Sequence, residues 1–241
     1  MKRFYKAAAV DAAQRAFRVL LDGKPVKTPA KALLVVPTRE LAEAIAGEWR
    51  AVPEKAEINA AHLPLTRLAA TGLDRVVPQR AEVVADTAKY AGSDLLCYRA
   101  TAPASLVKLQ HDAWQPLLDW ASERYGARLM VVNGIGYVDQ PADSVTRLRD
   151  AVDSHDHLAL SALYNLTHTA GSVVIALAVA EGRLDAEGAF GAAQVDELYQ
   201  VGRWGDDPLA EKHREGVRKD LAAGARFLAL LGKARLRKGK G

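Results

Sequence analysis

Between Val173 and Ala180 eight consecutive residues are apolar, and a helix built from them has no polar side to turn toward water. Val173, Val174, Ile175, Leu177 and Val179 point in every direction around such a helix. It therefore belongs at the centre of a bundle, with other helices as its cover. The run is far short of the roughly 20 residues that span a bilayer, and it is the most apolar stretch of the chain, so no membrane insertion is expected. Apolar residues make up 49% of the 241, and 26% are charged, which suits a folded soluble protein with a sizeable core.

The segments around that helix carry helical signals of their own. After Pro64, residues Leu65, Leu68 and Leu73 begin one helix, and Pro78 marks the first turn of another running to about Tyr90. Ser105 to Tyr125 reads as a third, with Trp114, Leu117, Leu118 and Ala121 on its apolar face. Helices are also expected from Asp143 or Ser144 onward and over His157 to Tyr164. Asp185 caps one that runs to Trp204, and Asp207-Pro208 starts the last, where Val217, Leu221, Leu228 and Leu231 form one buried stripe.

The first forty residues have a different period. Phe17 to Leu21 and Leu33 to Val36 read as strands, and Asp22-Gly23 is a hairpin signal because both residues tolerate positive φ. Pro37-Thr38 stops the strand, and Leu41, Ile45 and Trp49 recur at a spacing of four, giving a helix that ends near Val52-Pro53. Arg128 to Val132 is extended, and its partner is left open. The expectation is an α+β fold: a small domain of antiparallel strands and a helix over residues 1–58, a larger mainly helical domain over 59–232, and a basic flexible tail over 233–241.

That tail accounts for the net charge of +4. Lys233, Arg235, Arg237, Lys238 and Lys240 are its positives, and without them the chain carries one more acidic than basic residue. A frayed, solvated end is the plain reading; a basic-tailed nucleic-acid binder is the other, and no nucleic-acid partner is expected. The single cysteine, Cys97, excludes an internal disulfide and sits among apolar neighbours, as an unreactive core thiol does. With no export signal in view, the expected location is the cytoplasm.

Chemistry is sparse. Gly134-Ile135-Gly136 lacks the third glycine and the following helix of a dinucleotide site, and Ser172 has no nucleophile-elbow frame. Asp153-Ser154-His155-Asp156-His157 offers metal-ligand residue types, so a metal-dependent hydrolase using His155 and His157 is the alternative function. Against it, neighbouring positions on a helix diverge, and the run also suits the polar start of a helix. Along the expected helix from Ala186 to Trp204, Gly188, Ala192, Val195 and Leu198 form a core stripe. Phe190, Glu197, Gln200 and Trp204 share the other side, an acid flanked by aromatics, as at a recognition patch. Trp204 folded back onto the last helix, with Glu197 merely solvated, is the competing reading.

Taken in order, several short pieces resemble the ATP12 family, assembly chaperones of the F1 sector of ATP synthase. They are Arg3-Phe4-Tyr5-Lys6, Asp22-Gly23-Lys24-Pro25-Val26, Glu48-Trp49, Pro64-Leu65-Thr66-Arg67-Leu68-Ala69, and Asp94-Leu95-Leu96-Cys97-Tyr98-Arg99-Ala100. Trp114-Gln115-Pro116-Leu117-Leu118 follows, then Asp196-Glu197-Leu198-Tyr199-Gln200 and Trp204-Gly205-Asp206-Asp207. The resemblance implies a monomeric chaperone without catalysis or cofactor, whose partner is the unassembled F1 α subunit. It implies protein-binding roles for Glu197 and Asp196, and with Gln200, Trp204 and Phe190 from the helix face and Asp206 from the last motif piece these are the expected protein-binding residues. Gly202 stands where members often carry an acid, so the acidic cluster is thinner here.

Overall fold

A computed structural model describes residues 2–205 and 207–232. In chain order it holds β1 (Ala8–Ala13), β2 (Ala16–Leu21), β3 (Lys24–Pro25), β4 (Val35–Val36), α1 (Arg39–Ala51), α2 (Pro64–Thr71), α3 (Arg80–Ala88), β5 (Tyr98–Arg99) and α4 (Ala104–Tyr125). There follow β6 (Val132–Asn133), α5 (Ala142–Asp153), α6 (His157–Ala170), α7 (Val173–Ala180), α8 (Ala186–Ala193), α9 (Val195–Trp204) and α10 (Pro208–Leu231). Strands and one helix come first and helices dominate the remainder, the expected α+β arrangement.

By their contacts the residues divide into two compact units. One takes the described residues of Met1–Arg80, His155–Ala162 and Arg226–Gly241; the other takes Ala81–Ser154 and Leu163–Ala225. The expected first domain covers residues 1–58; the first unit's N-terminal segment runs to Arg80, and two later segments cluster with it. Asp206 and the basic tail, 233–241, lie outside the described residues.

In the first unit β1 and β2 form an antiparallel hairpin in which Val10 pairs with Val19 and Asp11 with Arg18. The Asp11 carboxylate meets the Arg18 guanidinium across the strands at 2.5 Å. The sequence reading missed β1, whose alanines carry little strand preference. At the β2–β3 turn Asp22 has φ 46° and Gly23 φ 78°, the paired positive angles of a tight hairpin. The stretch expected as a strand over Leu33–Val36 is regular only at β4; before it, Leu33 makes an isolated bridge to Lys27. Thr38 caps α1 by accepting from the Leu41 N–H, and Leu41, Ile45 and Trp49 turn inward. Several N-terminal motif residues pin this unit. The Tyr5 hydroxyl donates to the Trp49 carbonyl at 2.6 Å, Arg3 donates to the carbonyls of Tyr5 and Val52, and the Asp22 carboxylate accepts from the N–H groups of Lys6 and Ala7.

The second unit is built on α7. Every residue from Val173 to Ala180 is buried, as expected for a helix without a polar face. Elements α4, α5 and α8 pack against it. Gly224 of α10 lies against Leu166 so closely that a Cβ would stand 2.7 Å from the leucine Cγ, so the contact demands glycine. Of the extended piece expected over Arg128–Val132 only Val132 lies in a strand, β6, which pairs in parallel with β5 rather than joining the N-terminal sheet. Pro78 precedes α3 in a turn instead of opening its first turn.

Candidate protein-binding site

The helix expected from Ala186 to Trp204 is two helices. Asp185 caps α8 by accepting from the Gly188 N–H at 2.7 Å. Gln194 then leaves helical geometry at φ −119°, ψ 22°, and α9 starts afresh at Val195. The break shifts the phase of everything after it. Phe190, expected on the outer face, is 4% exposed, with the Arg218 guanidinium over its ring at 4.0 Å. Leu198, expected in the core stripe, is 41% exposed. The Phe190–Glu197–Trp204 face is therefore not formed, and Phe190 belongs to the interior.

What remains is a shorter face on α9 alone. Glu197 and Gln200 are exposed, and Trp204 is 76% exposed, so it does not fold back onto α10. Asp196, one residue before Glu197, is half-buried and turned the other way. Its Oδ1 accepts from Nε2 of Gln110 on α4 at 2.6 Å, while the same Gln110 accepts from the Ala100 N–H at 2.7 Å. The hydroxyls of Tyr199 and Ser105 add a second tie to α4 at 2.8 Å, and the Trp114 indole N–H donates to the Ala192 carbonyl at 2.7 Å. The sequence singles out Glu197 and Trp204, both of which lie exposed, but not Gln110 or Ser105. Their partners lie 86 and 94 residues away, beyond any local pattern. The structure thus brings Glu197, Gln200 and Trp204 to one surface with Asp196 as its root; it takes Phe190 away.

Gln194 also stands at the edge of an open groove of about 740 Å³, whose other walls include His168, Leu209, Lys212, His213 and Val217.

The metal reading loses its geometry. His155 is buried, and its carbonyl accepts from the Arg80 guanidinium at 2.7 Å. Asp156 caps α6, accepting from the N–H groups of Leu158 and Ala159 at 2.9 and 2.8 Å. Among the described residues no three of histidine, cysteine, aspartate and glutamate are placed to hold a metal ion. Cys97 is buried, and that burial, reinforced by nearby Asp94, pushes its thiol up to about 12, far from the thiolate a nucleophile needs.

An exposed acid and an exposed tryptophan thus share one face of α9, a helix tied by side chains to α4. The profile of the ATP12 chaperone protein family matches residues 2–122. The chain belongs to the ATP12 family. Solved structures of similar proteins extend the match past residue 122. Atp12 from Paracoccus denitrificans is 39% identical, with 95% of this chain and 98% of that one aligned at a TM-score of 0.87. A protein from Agrobacterium tumefaciens, also 39% identical, aligns over 95% of this chain and 86% of its own at 0.88. The mitochondrial protein atp12 of Schizosaccharomyces pombe is 24% identical over 236 residues, 93% of this chain and 81% of the relative. Membership in a family of non-catalytic chaperones answers the question of an enzyme, and the hydrolase alternative falls with it.

Proposed function

We propose that this ATP12-family protein binds the free α subunit of the F1 sector of ATP synthase and shields it until it pairs with β. In this reading it acts as a monomer in the cytoplasm, with no cofactor and no nucleic-acid partner. The observation that carries the reading is the outward face of α9, where Glu197, Gln200 and the 76% exposed Trp204 stand together. Exposed tryptophan is the residue type that most often anchors a protein interface, and a neighbouring carboxylate selects a basic counterpart. An unassembled subunit of a hetero-oligomer exposes the apolar surface that would otherwise lie in the assembled interface, and that surface invites aggregation. Covering it and then yielding it to the proper partner needs moderate affinity and no energy source.

Affinity capture with tagged protein, from cells making their own ATP synthase, tests this. The expected catch is the α subunit without β, γ or the rest of F1. Recovery of intact F1, or of no F1 subunit from a lysate containing free α, rejects the proposal.

A further inference from the structure

We propose that Gln110 is the positioning residue of this site: by bridging Ala100 and Asp196 it fixes the rotation of α9 and so decides where Glu197 and Trp204 point. The inference rests on the reading of the α9 face as client-binding.

Gln110 lies on α4 and is only 2% exposed, an uncharged amide fully removed from water. Such a group is costly unless both of its ends are met. Both are. Nε2 donates to Asp196 Oδ1 at 2.6 Å, and Oε1 accepts from the Ala100 N–H at 2.7 Å. Ala100 directly follows β5, whose pairing with β6 holds that backbone in place. One side chain therefore joins a strand end to the first turn of α9. Glutamine offers both a donor and an acceptor at this length without having to take up a proton, as glutamate would. Glutamate would set a carboxylate against the Asp196 carboxylate, and an apolar residue would leave the Ala100 N–H and the Asp196 oxygen unmet.

Asp196 and Glu197 thus divide the work. At neighbouring helical positions their side chains lie about 100° apart, so seating Asp196 inward on Gln110 aims Glu197 outward. Trp204 follows two turns later on the Glu197 side. The other polar tie to α4, between the Ser105 and Tyr199 hydroxyls, is exposed and competes with water. Asp196 is therefore an anchor for α9 rather than a second acidic contact for the partner.

The test uses full-length protein with two readouts: titration against isolated F1 α subunit, and hydrogen exchange of the α9 backbone amides in the protein alone. In Gln110→Glu we expect affinity for α to fall at least tenfold and the α9 amides to exchange at least tenfold faster, with the α7 amides unchanged. Adding Asp196→Asn should restore both to within threefold of wild type. In that double variant the amide introduced on α9 donates to the carboxylate introduced on α4, and the same carboxylate still accepts from the Ala100 N–H. Unchanged affinity or unchanged α9 exchange in Gln110→Glu overturns the proposal, and so does a double variant no better than the single one. Gln110→Met, which deletes both bonds without adding charge, should fall in the same direction should the glutamate variant fail to fold. A wild-type protein that does not bind α overturns the client reading instead, and the exchange and its rescue still decide whether Gln110 positions α9.

Discussion

Glu48 reaches Thr66 twice: its Oε2 accepts from the Thr66 N–H at 2.9 Å and from the Thr66 hydroxyl at 2.7 Å, while its Oε1 accepts from the Leu65 N–H at 2.6 Å. A carboxylate on α1 thereby caps α2, whose own N-cap position, Leu63, has no side chain able to do so. Pro64 at the first helical position already lacks the N–H that would need a partner. Two separate motif pieces, Glu48-Trp49 and Pro64-Leu65-Thr66, are thus halves of one structural device.

Glu48→Ala should therefore cost roughly 1–3 kcal/mol, since it strands half-buried N–H groups at a helix start. Urea denaturation of both proteins checks this. Binding of the partner by the folded fraction should be unchanged, because Glu48 serves the fold.

Asp94 gives the protein a pH dependence of opposite sign to that of an ordinary paired carboxylate. It is fully buried, accepting from the N–H groups of Leu96 and Val174 at 3.1 and 3.2 Å, and burial pushes its carboxyl up to about 6 despite these bonds and one from Ser172. Because the folded value lies above the unfolded one, the folded state holds the proton more tightly. The associated stability is fully present below about pH 4 and is lost as pH rises toward about pH 6. Relative to Asp94→Asn, wild type should lose roughly 2 kcal/mol between pH 4 and pH 7, most of the full shift at 1.36 kcal/mol per unit. Paired denaturation curves across that range measure the difference; a flat difference would mean that Asp94 titrates as an exposed acid.

The central helix sets the largest single-residue effects. Leu177 is fully buried in α7 with no solvent-facing side to relax into, so Leu177→Ala should destabilise by roughly 2–5 kcal/mol through lost burial and a residual cavity. At the other extreme, Gly224→Ala adds only one methyl, but that methyl would stand 2.7 Å from Leu166 Cγ. It should cost about 1–3 kcal/mol although alanine is the better helix former. Thermal melts of both variants check the pair.

Short-range signals were legible in the sequence. Asp22-Gly23, Thr38, Asp185 and Asp207-Pro208 all do what their types dictate, because capping and turn chemistry involve neighbours a few residues away. The apolar circumference of α7 was equally plain. Strand β1 was hidden by alanines, and the break at Gln194 by the lack of proline or a capping signal there; that break put Phe190 inside and Leu198 outside. The Gln110–Asp196 bridge was unreadable for a different reason. Its bonding atoms meet only after α4 and α9 have packed, and either residue alone is an ordinary polar helix position.

The most direct test of the account is calorimetric titration of isolated F1 α subunit with wild type and with Glu197→Lys, beside thermal melts of each. Glu197 is exposed, so reversing its charge should leave the melt within a degree or two of wild type. If it faces a desolvated basic group on the α subunit, the reversal should cost about 2–5 kcal/mol of binding, thirtyfold or more in affinity. That loss, with the fold intact, is the predicted result. Equal affinity of the two proteins, or no binding of α by wild type, would contradict it.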